Sequence, residues 1–137
     1  MNYARVALAG FGATVVYFFL GFLLFALTPL ADEYRRFPAI YRTPDAMKKV
    51  APFGMLSILV SMIALAAIYA LAYRGGSPLA EGTRFGALVG VFAIGSFVIH
   101  NYVNLNISLR LTIGQAIAYF IQWIVAGGVI GLIYRSR

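Results

Sequence analysis

The chain has 137 residues, of which 62% are hydrophobic and only 11% are Asp, Glu, Lys or Arg, with a formal net charge of +7. An ordinary soluble domain carries about 25% charged residues, so this composition argues against a soluble fold and indicates a membrane protein. The chain has no cysteine, which excludes a disulfide scaffold and a thiol-ligated metal site.

Four long runs without a charged residue predict four membrane-spanning helices, at about 6–30, 51–73, 85–107 and 111–134. Each run exceeds the ~20 residues that a helix needs to cross ~30 Å of hydrocarbon. In lipid, a single segment can satisfy its own backbone hydrogen bonds only as a helix. The sequence therefore predicts an all-α, polytopic integral membrane protein of the cell membrane, with one multi-pass four-helix bundle over 1–137.

The connectors between these runs carry local signals. Thr43, Pro44 and Asp45 are typical of a helix start, so we expect an interfacial helix at about 43–50 that lies on the membrane surface. Pro52 should then kink or restart the chain as it enters the second span. The connector around Ser108 is so short that the third and fourth spans are predicted to form a tight antiparallel hairpin.

The positive charges do not fix the orientation in the membrane. With the C-terminal Arg135 and Arg137 included, five Lys and Arg lie on one side and six on the other, so the positive-inside rule leaves the sidedness undecided. Such a near-tie also permits a homodimer of opposed chains. Basic residues at span ends normally contact lipid headgroups, so the net charge does not indicate nucleic acid.

Small and polar residues follow one helical stripe in each span, and we expect these stripes to face inward. In the third and fourth spans, paired glycines four residues apart should let two backbones approach closely. Packing within one bundle and homodimerisation are both compatible with this pattern. The stripes are Gly10, Thr14, Tyr17 and Gly21; Gly54, Ser57, Ser61 and Ala64; Gly86 and Gly90; and Gly127 and Gly131.

Polar residues gather at one predicted depth of the third and fourth spans. An antiparallel hairpin would bring His100 near Tyr119 and Asn104 near Gln115, with Gln122 one turn deeper. Polar groups inside a membrane are costly and often mark function. We expect a polar seam between these two helices that binds a ligand, with Tyr17 contributing from the first span. The alternative is that these side chains only hydrogen-bond one another and hold the helices together.

Other functions are disfavoured by missing residues. All four acidic residues lie in connectors, which argues against an ion-coupled multidrug exporter, and the single histidine argues against a bis-histidine haem. No catalytic or metal-ligating cluster is visible. We therefore expect no enzyme activity, no cofactor and no metal site.

Several residues resemble a family of small bacterial four-span membrane proteins that is catalogued only as a domain of unknown function. They are the Asn2-Tyr3 start, Gly21 followed by aromatic residues, Glu81-Gly82 with Gly86 and Gly90, and Gly128 with Gly131. Where the family has a Trp-Tyr pair after the first-span glycine, this chain has Phe22 to Phe25. The resemblance implies the four-helix membrane architecture and no catalytic residues.

Two hypotheses about function follow. In the first, the bundle binds or transports a small hydrophobic or lipid-like molecule through the polar seam. In the second, the protein is a non-catalytic accessory or assembly subunit, and its glycine faces dock onto a larger membrane complex.

Overall fold

A computed structural model describes residues 1–135 of the chain, so Arg137, which entered the count of positive charges, lies outside the described residues. Within that range the regular structure is helical, without strands. Four helices are long and apolar enough to cross a membrane, which confirms the predicted all-α, four-span class. They are span 1 (Tyr3–Ala26), span 2 (Pro44–Ala72), span 3 (Pro78–Asn104) and span 4 (Leu109–Tyr134).

Two spans contain a wider helical turn, and one short helix lies between spans. Span 1 is α-helical over Tyr3–Gly21 and ends in a π-helical turn at Phe22–Ala26. Span 3 has a π-helical segment at Ile94–Ile99. The connector helix, Leu30–Arg35, follows span 1. A π-helical turn takes up extra residues per turn, so it rotates every residue that follows it relative to an unbroken α-helix.

Side-chain caps fix three of the helix starts. Asn2 and Thr43 accept hydrogen bonds from the backbone N–H groups three residues on, at 3.1 and 3.3 Å. Ser108 caps span 4 in the same way at 3.1 Å. Each cap satisfies one of the N–H groups that a helix start leaves without a partner.

Span 2 runs without interruption from Pro44 to Ala72. The segment that we predicted as a separate interfacial helix at about 43–50 forms its first two turns, and the helix does not restart at Pro52. Proline removes one backbone donor and crowds the preceding turn. Pro52 is exposed, so no neighbouring helix prevents the backbone from adjusting around its ring.

Span 4 packs against both span 3 and span 1. Span 2 packs against span 1 and, through Tyr69, against Tyr134 near the end of span 4. Gly82 lies against Gly127 and Gly131, whereas Gly90 lies against Phe120, so spans 3 and 4 run in opposite directions. These glycines bring the two backbones into direct contact, which is the usual means of helix association where lipid removes the hydrophobic drive.

The inward stripe of span 1 is confirmed, since Gly10, Thr14 and Tyr17 are buried and the half-buried Gly21 faces Gln122 of span 4. The stripe predicted for span 2 is wrong, because Gly54, Ser57, Ser61 and Ala64 are exposed. The buried face of span 2 instead carries three other residues, Met62, Ala66 and Tyr69. Gly54 and Ser57 lie in the first half of span 2, which is exposed almost throughout. Ser61 and Ala64 lie in the second half, but on a different face from the buried residues.

We predict that Gly86→Ala destabilises the bundle. A Cβ at this position would collide with the carbonyl oxygen of Trp123 and lie 3.0 Å from the Cα of Ile124. Both neighbours are backbone, so the helices must separate, and we expect a loss of about 1–3 kcal/mol in the free energy of unfolding. Denaturation with SDS in detergent micelles measures it.

Gly95→Ala is the matched control on the same helix, because a Cβ at that position would meet no atom of another helix within 4 Å. It should be neutral or slightly stabilising, since alanine favours helix over glycine. Equal losses for the two variants would show that spans 3 and 4 do not meet at Gly86.

Candidate functional site

The polar face of span 4 meets span 1 and the connector that follows it. Gln115 and Gln122 are 6% and 1% exposed. Nε2 of Gln115 donates a hydrogen bond to the hydroxyl of Tyr34 at 2.6 Å and a longer one to that of Tyr41 at 3.4 Å. Nε2 of Gln122 donates to the backbone carbonyl of Tyr17 at 2.9 Å. The two amides therefore tie span 4 to the first third of the chain.

Aromatic rings pack around these amides. The ring of Tyr119 lies 5.1 Å from that of Phe25, and Tyr17 lies 5.2 Å from Trp123. Burial raises the pKa of the Tyr34 hydroxyl above its ordinary value, with a smaller contribution from Tyr119, so this hydroxyl is protonated at neutral pH. The structure thus brings four of the six predicted site residues to one interface. They are Tyr17, Gln115, Tyr119 and Gln122.

His100 and Asn104 do not join this cluster, and the predicted polar seam between spans 3 and 4 is wrong. Both residues are exposed. The amide of Asn104 donates to the backbone carbonyl of His100 at 2.8 Å. Among residues 1–135, the imidazole of His100 forms no hydrogen bond.

Helix geometry explains the difference. Span 4 meets span 3 through Gly127, and Gln122 lies five positions earlier, roughly 140° around the helix. The glutamine face therefore points away from span 3. The π-helical segment at Ile94–Ile99 changes the phase of span 3 just before His100, which turns the end of that helix away from the expected contact.

A separate concave site lies beside the cluster, between the end of span 1, the connector helix and the first half of span 4. Its volume is about 360 Å³, within the range usual for small-molecule pockets. We call it the groove. It is lined by Leu24, Thr28, Pro29, Leu30, Glu33, Arg110, Ile113, Gly114, Ile117 and Ala118.

Charged side chains close one end of the groove. Glu33 is 5% exposed, and its Oε1 lies 3.3 Å from Nη1 of Arg36 and 3.4 Å from Nε of Arg110. The other carboxylate oxygen, Oε2, is buried and has no hydrogen-bond partner in the described part of the chain. The two arginine side chains are 66% and 72% exposed. This end of the groove therefore holds a shielded carboxylate beneath two exposed cations.

Sequence reasoning missed Glu33 and Arg110, which it treated only as connector charges. One signal was available, because Arg110 is the single charged residue between Phe85 and Tyr134. A lone charge between two spans calls for a partner, and Glu33 is that partner. Within residues 1–135, no group of three or more His, Cys, Asp or Glu residues is placed to hold a metal ion.

Comparison with known proteins gives no match: no family model, no curated protein and no solved structure is significantly similar to this chain. The resemblance to a four-span family of unknown function therefore stays a prediction.

We predict that Gln115 and Tyr34 stabilise the fold as a pair. In a double-mutant cycle of Gln115→Leu and Tyr34→Phe, the coupling energy should be about 0.6–1.7 kcal/mol, the range for hydrogen bonds between membrane helices. Unfolding in SDS and micelles gives the four free energies. His100→Gln serves as the control and should stay within about 0.5 kcal/mol of the natural chain, as for surface substitutions. A coupling energy near zero would contradict the assignment.

Proposed function

We propose that this protein binds a lipid-like amphiphile in the groove, with the polar end of the amphiphile at Glu33 and Arg110. One observation carries the proposal: an apolar groove of about 360 Å³ ends at a buried carboxylate and an exposed arginine. Ligand sites are typically concave and apolar, with a few polar groups that fix orientation. An amphiphile matches both parts of this lining.

The position of the groove along span 4 suits such a ligand. Arg110 lies in the first turn of the span, where basic residues commonly contact headgroups. Ile113 and Ile117 follow on the same face, and Ile117 lies roughly 10 Å deeper than Arg110 along the helix axis. A polar head at Arg110 would therefore continue into a chain that runs along the two isoleucines toward the middle of the membrane.

The shape of the groove depends on small residues. Gly114 lies close to the side chain of Leu30, and Gly114 and Ala118 line the groove together with the bulkier Leu24 and Ile117. An ordinary lipid-facing helix has no such recess, because larger side chains cover its backbone.

In this proposal the hydrogen bond between Gln115 and Tyr34 holds one wall of the groove in place. Gln115 holds Tyr34, and Tyr34 belongs to the same short helix as Leu30 and Glu33. The amide therefore positions one wall of the groove without touching the ligand. This assigns Gln115 a positioning role in place of the ligand contact expected from the sequence.

We predict that Ile117→Trp fills the groove and lowers lipid retention at least about fivefold, since an indole would occupy space meant for an acyl chain. Native mass spectrometry of the purified chain counts the lipids that remain bound. Leu132→Trp is the matched control, because Leu132 is also exposed on span 4, at 48%, but does not line the groove. Equal retention by both variants would contradict lipid binding at this site.

A second function, as an accessory subunit of a membrane complex, is favoured by the first half of span 2. Every residue from Pro44 to Ser57 except Ala46 is exposed. The glycine faces cannot serve as the docking surface expected from the sequence, because those of spans 3 and 4 contact each other. A photo-crosslinking residue at Phe53, which is 79% exposed, tests this function in native membranes. If the protein is such a subunit, we expect a crosslinked product of one defined mass.

A further inference from the structure

We infer that the groove selects phospholipids whose headgroup carries a primary amine, through Glu33, Arg36 and Arg110. The inference rests on the proposed function and adds the chemical class of the head. It follows from two features of the charged end: one carboxylate oxygen lacks a donor, and two guanidinium groups have donors to spare.

The first feature calls for a hydrogen-bond donor. Within residues 1–135, Oε2 of Glu33 is buried without a partner, while both arginines approach Oε1. A buried acceptor that stays unsatisfied costs about 1–3 kcal/mol, and more when it is charged. Native structures satisfy most such groups with protein, water or ligand. A ligand ammonium would supply both the missing donor and an opposite charge.

The second feature calls for an anion. Each guanidinium has five N–H donors and suits bidentate binding of phosphate. Nη1 of Arg36 and Nε of Arg110 approach Glu33, and both side chains are largely exposed. Two positive charges around one negative charge leave a net positive site. A phosphate next to an amine therefore matches the order of charges at this end of the groove.

The same chemistry disfavours a quaternary ammonium head. A choline nitrogen has no N–H, so it cannot donate to Oε2. Proteins usually recognise such heads with the faces of aromatic rings, and the residues that line the groove include none. The structure thus distinguishes two phospholipid heads that have the same net charge.

Access to Oε2 requires a small movement. The oxygen is closed to water in this structure, so a headgroup must displace a neighbouring side chain. The side chains of Arg36 and Arg110 are 66% and 72% exposed, so solvent leaves them room to move, and the ligand ammonium would keep the buried Glu33 carboxylate paired when they do. Glu33 itself is held by the connector helix and need not move.

The test uses the full chain in detergent and four phospholipids with identical acyl chains. Their heads are ethanolamine, N-methylethanolamine, N,N-dimethylethanolamine and choline, which share one net charge but carry three, two, one and no N–H donors. Native mass spectrometry gives the dissociation constant of each. We expect ethanolamine to bind about tenfold more tightly than choline, with the largest step at the last methylation, where the final donor is lost.

Glu33→Gln should reduce the difference between ethanolamine and choline to less than about twofold, because an uncharged amide binds an ammonium far more weakly than a carboxylate does. Asp32→Asn is the matched control, since Asp32 is the neighbouring acid, its side chain is 75% exposed and it does not line the groove. It should keep the full difference.

The possible failures are distinguishable. Equal binding of all four lipids by the natural chain would overturn the headgroup inference and leave the proposed function standing. Retention of no lipid would overturn both. Full discrimination by Glu33→Gln would also overturn the headgroup inference, because the amine is proposed to donate to that carboxylate. If that variant does not fold, the methylation series on the natural chain still decides.

Discussion

The contact between the glycines of spans 3 and 4 determines how the rest of this small bundle is arranged. Lipid chains are as apolar as leucine side chains, so membrane helices associate through close packing and hydrogen bonds. Gly82 and Gly86 meet Gly127 and Gly131 with backbone against backbone. A contact this close permits only one rotation of span 4 about its own axis. Once that rotation is set, the opposite side of span 4, with its two glutamines, must find partners on another part of the chain.

Span 1 and the connector provide those partners, and the groove is a consequence. Gln122 bonds to the backbone of span 1, whereas Gln115 reaches Tyr34 beyond the end of that span. The connector is thereby drawn onto the first half of span 4, where Leu30 packs with Leu111 and Ala118 in a small apolar core. Because Gly114 and Ala118 are small, the two surfaces leave a recess where they diverge. Polar side chains are costly to bury in a membrane. In this protein Gln115 and Tyr34 hold the helix that forms one wall of the proposed site.

The sequence was sufficient for the class of fold, because four uncharged runs of that length can satisfy their backbones in lipid only as helices. It also identified the Thr43 cap and the glycines that pack spans 3 and 4. It could not assign the partner of the glutamine face. Spacing shows that Gln115 and Gln122 share a side of one helix, but not which helix lies opposite. The π-helical segment at Ile94–Ile99 has no clear sequence signature. It rotates the rest of span 3, whereas the predicted position of His100 assumed an unbroken α-helix. Glu33 and Arg110 come from distant parts of the chain, so no local pattern joins them.

The asymmetry at Glu33 bears on whether the charged end of the groove serves only the fold. Two arginines are close enough to satisfy both carboxylate oxygens, yet both approach Oε1. For stability alone, an arrangement that covered Oε2 would be better, because an unpaired buried acceptor opposes folding. Local arrangements that oppose stability persist most readily where function requires them. The unpaired oxygen belongs to a residue that lines an apolar recess. A ligand that filled that recess would bring its own donor to Oε2, so binding would relieve a cost that the fold alone leaves in place.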